Sequence, residues 1–168
     1  MNQNEKVVAT AERDRCWADL RGNAKRLSEL LLGAKDVKLD PLDFLLFYQC
    51  IIIVLAELEF FEEEFPEEVE TLKKDNAGAA LLRTLRDTGY WKDMVDEKLS
   101  VEKRLKAIEK LRKSTWSNMF SKKDEILELQ AGYPDKMEDR KMHLMMQCVA
   151  IVGLELDLKR REIELIDS

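Results

Sequence analysis

His143 is the single histidine of the chain, and Cys148 follows it five positions later. A cysteine nucleophile needs a base within hydrogen-bond reach. Residues five apart on a helix lie on different faces, so this pair does not make one. One histidine also cannot build a di-iron bundle site, which takes Glu-x-x-His from two helices. Cys16, Cys50 and Cys148 are too widely spaced for a zinc pair. They read instead as small buried hydrophobes of a reducing compartment. The chain contains no Gly-x-Ser-x-Gly elbow, no phosphate loop and no Gly-x-Gly-x-x-Gly fingerprint. Glu57 to Glu70 carries eight glutamates and no basic residue, but not the glycine-turned oxygen spacing of a calcium loop. The expectation is therefore no catalytic residue, no cofactor and no metal, with His143 a surface or core-edge side chain.

Two charge blocks remain. The glutamates of 57–70 give a net −8, and Glu62, Glu63, Glu64 and Glu67 form the candidate acidic face. Residues 100–123 hold eight Lys and Arg against Glu102 and Glu109, a net of 8 − 2 = +6. Lys103, Lys106, Lys110 and Lys113 step by three, four and three, which places them on one helical face. Such a face suits an anionic membrane, a nucleic acid or an acidic partner; the plainer reading is the solvated outside of a bundle. Trp116 beside it reads as core, because one aromatic is not a base-stacking platform. The basic and acidic blocks could also pair, within the chain or between copies. Each surface pair would add little energy but could set register and partner choice.

The elements that must carry these faces are helices. Hydrophobic residues make up 45% and charged residues 37% of 168 positions, with six glycines and three prolines. So few breakers imply few, long elements. A first helix is expected from about Asn4 to Leu32, stopped by Gly33. Phe44 to Ala56 carries no charge; thirteen helical residues span about 20 Å, short of the roughly 30 Å of a bilayer core. Asp40 as N-cap, Pro41 at the first position and Asp43 in the first turn predict where this helix starts. It runs on into the glutamates, to a break or bend at Pro66.

Breaks are expected at 33–40, 75–78 and 131–135. A short helix should end near Gly89, and Ser100 should cap a new one. Whether 90–130 is one helix or two stays open. The last helix is expected from about Asp135 to Ile166. Its apolar seam narrows toward Leu156, Lys159, Ile163 and Ile166, in the manner of a coiled coil with a register-setting lysine.

These readings predict an all-α fold: an antiparallel four- to five-helix bundle, one domain over 1–168, with the apolar helix sheathed at its centre. The N-terminus lacks a secretory signal and no transmembrane segment is expected, so the place is the cytoplasm, with the nucleus as alternative. The net charge of −6 disfavours a broad nucleic-acid surface. The functional expectation is a non-catalytic protein–protein interaction module (an adaptor, inhibitor or assembly subunit) that meets another protein or a second copy of itself. The alternatives are an anionic-lipid or nucleic-acid binder acting through 103–113, and a carrier that holds an apolar ligand against the central helix.

Overall fold

Asp40 and Asp43 set the start of the longest apolar element. The Asp40 carboxylate accepts from the backbone N–H of Leu42 at 2.8 Å and of Asp43 at 3.2 Å, and Asp43 accepts from the Asp40 N–H at 2.9 Å. This reciprocal cap satisfies donors that a helix start leaves orphaned, with Pro41 in the first helical position where a missing N–H costs nothing.

A computed structural model describes residues 1–33, 38–74, 77–133, 135 and 138–168, with 77–80 described by backbone alone. Among these the regular structure is all helix: α1 Gln3–Gly22, α2 Ala24–Leu32, α3 Pro41–Glu64, α4 Pro66–Leu72, α5 Ala77–Val95, α6 Val101–Phe120, α7 Lys123–Gly132 and α8 Asp139–Ile166. The fold is an all-α helical bundle, as the sequence predicts, in more and shorter pieces than expected. Parts of the expected breaks, at 34–37, 75–76 and 134, lie outside the described residues.

The extra segmentation has local causes. The Asn23 side-chain amide donates to the Asp19 carbonyl at 2.9 Å and ends α1, so the first helix is two. Phe65 leaves helical geometry (φ −126°, ψ 59°) and Pro66 opens α4. Residues 90–130 contain the end of α5, then α6, then α7. Gly89 does not stop α5. An exposed helical glycine costs only about 1 kcal/mol, and the turn beyond it buries Met94.

The chain divides into two compact units, residues 1–60 with 123–153, and residues 61–122 with 154–168; the divisions fall inside α3 and α8. In the first unit, Trp17, Leu20, Leu27 and Leu30 are buried along α1 and α2, and Met145, Cys148, Val149 and Val152 along α8. The Trp17 indole donates to Glu57 at 2.7 Å. A Cβ on Gly153 would sit 3.2 Å from the Leu31 methyl, so α8 passes close to α2. Leu46, Phe47, Cys50, Ile51, Ile53, Val54 and Leu55 of the uncharged run are buried.

The sheath around that run is incomplete, which corrects the expectation. Phe44, Leu45 and Tyr48 remain 44%, 65% and 37% exposed. Tyr48 stacks on Tyr133, whose hydroxyl donates to the Phe44 carbonyl. The span argument also needs correcting. Counting the thirteen uncharged residues leaves out Leu42, Leu58, Phe60 and Phe61, which lengthen the apolar stretch. The 24-residue α3, with an 18-residue window of mean hydropathy 2.0, is long and apolar enough to cross a membrane by length and composition. Half of that window is buried within the protein, as in a core helix.

In the second unit, α5 and α4 both pack on α6. Met94, Ala107, Ile108, Leu111, Leu158 and Leu165 form one buried cluster, with Tyr90, Leu105 and Leu154 packed against it. Ser100 caps α6 by accepting from the Lys103 N–H at 3.3 Å. Ser100→Ala is expected to lower stability by about 1 kcal/mol, read as a small fall in the urea midpoint at unchanged slope.

Candidate interaction surface

α5 is covered on one side only. Met94 is buried on the α6 side, and the Arg83 guanidinium donates to Asn118 of α6 at 2.8 Å. Leu81, Leu82 and Leu85 are 61%, 63% and 62% exposed. Leu81 and Leu85 share a face at i, i+4, and Leu82 stands beside Leu85 at i, i+3. A groove of about 630 Å³ runs between α4 and α5. Leu72, Leu82 and Leu85 make it apolar; Glu68 and Thr71 line it from α4, and Arg83 and Arg86 from α5.

Sequence reasoning named no residue here. The available signal was that α5 is apolar on two opposed sides. Tyr90 and Met94 mark one, and Leu81, Leu82 and Leu85 the other. A helix packed on one neighbour buries only one such side.

The residues that were named are placed as follows. Lys103, Lys106, Lys110 and Lys113 are together on α6 and exposed. Lys106 meets Glu102 at 3.3 Å, Lys110 lies 5.9 Å from the Tyr90 ring centre, and Lys113 meets Glu68 at 3.4 Å and sits 4.5 Å over Phe65. Three of the four thus have partners within their own unit, and Lys113–Glu68 joins the basic block to the acidic one. Glu62, Glu63, Glu64 and Glu67 are exposed, but the break at Phe65 divides them between α3 and α4, so they do not form one helix face. Of the seam, Leu156 and Lys159 are half-buried, while Ile163 and Ile166 are 60% and 68% exposed. The buried positions of this stretch are Glu155, Leu158 and Leu165. The helix turns Leu158 and Leu165 into the cluster on α6 instead of presenting the expected seam.

Glu155 belongs to a polar cluster that the sequence did not reveal. Its carboxylate accepts from the Arg112 guanidinium at 2.9 Å and from the Trp116 indole at 3.4 Å, and Arg112 also donates to Glu162. Burial holds the Glu155 carboxyl above the usual carboxylate range, against the pull of Arg112 in the other direction. Both carboxylates are tied to the same guanidinium, which links α8 to α6.

Burial also pushes the Cys50 and Cys16 thiols up, which keeps them in the poorly nucleophilic thiol form. His143 is exposed, its ring nitrogen 3.1 Å from the Gln147 amide. Among the described residues no three of His, Cys, Asp and Glu are arranged to hold a metal ion.

Comparison with known protein families, characterised proteins and solved structures finds no match.

Proposed function

We propose that this chain is a non-catalytic protein–protein interaction module acting through helix faces, with the α4–α5 groove as its contact surface. The observation that carries this reading is the group of three leucines on α5, each more than 60% exposed, two of which, Leu82 and Leu85, line the groove against α4. Single exposed leucines are ordinary; a contiguous apolar patch rimmed by charge marks a contact site. The recognition would be helix-in-groove: apolar anchors supply the binding energy, and Glu68 opposite Arg83 and Arg86 sets orientation.

Capture from cell extract on immobilised protein tests this. Leu82→Glu is expected to lose the bound proteins, while the quadruple Lys103/Lys106/Lys110/Lys113→Glu variant keeps them. The reverse pattern, with bound phosphate-bearing material that falls away steeply as salt rises, would replace this reading with the lipid or nucleic-acid one.

A further inference from the structure

We infer that residues 81–88 of α5 form a weakly held flap that releases from α6 about Gly89, so that the α4–α5 groove opens and closes on what it holds. That use rests on the groove being a contact surface; the movement itself does not.

Apolar packing anchors α5 at its C-terminal end. Met94 is 1% exposed in the cluster on α6, and Tyr90 packs against that cluster. No residue from 81 to 89 is buried, and the three leucines of the stretch stand exposed. A short helix owes its stability to the apolar side it buries. Segments with few buried apolar contacts open locally, at a fraction of the free energy of global unfolding. The other wall of the groove is fixed differently, because α4 is pinned through buried Val69 and Leu72. Release of the flap therefore carries Leu82, Arg83, Leu85 and Arg86 away from Leu72 and widens the groove.

The contact that the flap makes with α6 is polar and poorly matched. The Arg83 guanidinium donates to Asn118 at 2.8 Å. Asp87 stands one turn beyond Arg83 and Ser114 one turn before Asn118, so both follow that pair along the same antiparallel contact. Asp87 Oδ1 and Ser114 Oγ are buried, and neither has a hydrogen-bond partner among the described residues. A buried polar group left unpaired costs its lost hydration. Release returns both oxygens to water, so closure gains little. Gly89 supplies the pivot. It lies between the unanchored turns and Tyr90, and glycine weakens a helix at the point where it sits.

Thiol labelling at two positions of α6 tests this. Ser114→Cys places a thiol under the flap. Ala107→Cys, at a position 4% exposed in the Met94 cluster, places one under the anchored turn. Each full-length variant is treated with iodoacetamide under native conditions and read peptide by peptide in a mass spectrometer, with circular dichroism to check the fold. Ser114→Cys is expected to be alkylated at least about tenfold faster than Ala107→Cys. Adding Gly89→Ala should slow it about fivefold, since a Cβ there meets nothing within 4 Å and strains no neighbour. Should Ala107→Cys fail to fold, native Cys148, 0% exposed, replaces it as the reference. A smaller ratio, or a rate that Gly89→Ala leaves unchanged, overturns the proposal. If labelling is slow while Leu82→Glu loses the proteins captured from extract, the flap falls and the interaction module stands. If labelling is fast and Leu82→Glu keeps them, the flap stands and the contact reading of the groove falls.

Discussion

Arg112→Met is expected to destabilise the protein by about 3 kcal/mol at neutral pH, lowering Tm by about 10 °C. The reason lies in what the substitution leaves behind. Glu155 is 6% exposed and takes its strongest hydrogen bond from Arg112. Without the guanidinium, the buried carboxylate keeps the Trp116 indole at 3.4 Å and the charge of Lys159, and removing one partner of a buried pair commonly costs about 3–5 kcal/mol. The lower end applies because the Arg112 side chain is itself 26% exposed, so water already screens part of the pair.

The pH dependence carries the sign of the cause. Burial already raises the Glu155 carboxyl, and losing Arg112 raises it further. A group raised in the folded state contributes most below its unfolded value, about 4.3 for glutamate, and that contribution is lost as pH climbs through the folded value. The defect of Arg112→Met should therefore shrink as pH is lowered from 7 toward the unfolded value of about 4.3. Adding Glu155→Leu should recover most of the loss, because apolar replacement of a whole buried pair is often neutral. Urea unfolding of the two single variants and the double at both pH values gives the cycle. Equal defects at pH 7 and at about pH 4, just below the unfolded value, would mean that the charge on Glu155 is not what the guanidinium offsets.

Why was the start of α3 legible when this cluster was not? Asp40, Pro41 and Asp43 act within one turn, and their residue types state their roles. Arg112 and Glu155 are 43 positions apart, and neither differs in sequence from the many solvated charges around it. The α5 leucines failed to register for a related reason. Spacing shows that Leu81, Leu82 and Leu85 are apolar at helical positions; only tertiary packing shows that α6 is met by the other side.

The α8 seam misled through its own regularity. Met145, Val149 and Val152 follow the four-three rhythm and are buried, so extending it to Ile166 was natural. Beyond residue 154 the buried side moves by one position, and a helix narrowing its apolar face gives the sequence no sign of which edge is kept. Gly89 shows the limit from the other direction: a breaker with an intrinsic cost of about 1 kcal/mol yields to the burial of Met94, worth roughly 2 kcal/mol.

Asp43→Ala is expected to cost about 2 kcal/mol, measured as a lower urea midpoint at neutral pH. Asp43 is 2% exposed and makes two kinds of contact that alanine removes. It accepts the Asp40 N–H at the head of α3, and its two oxygens take a forked pair of hydrogen bonds from Arg26, at 2.7 Å to Nε and 2.6 Å to Nη2. The Arg26 side chain is 31% exposed and also reaches Glu29 at 3.2 Å, so losing Asp43 does not strand a buried cation. That keeps the expected cost below that of Arg112→Met.

Here the acid dependence runs opposite to that of Glu155. The hydrogen bonds from Arg26 hold the Asp43 carboxyl below the usual carboxylate range. A lowered group stabilises fully above its unfolded value, about 3.9 for aspartate, and that contribution disappears as pH falls through the folded value. Wild type and Asp43→Ala should differ by a constant amount from pH 7 to about 5 and draw together below about pH 4. A gap that does not narrow at all as pH falls below the unfolded value of about 3.9 would show that alanine harms α3 by lost packing and not by the lost carboxylate.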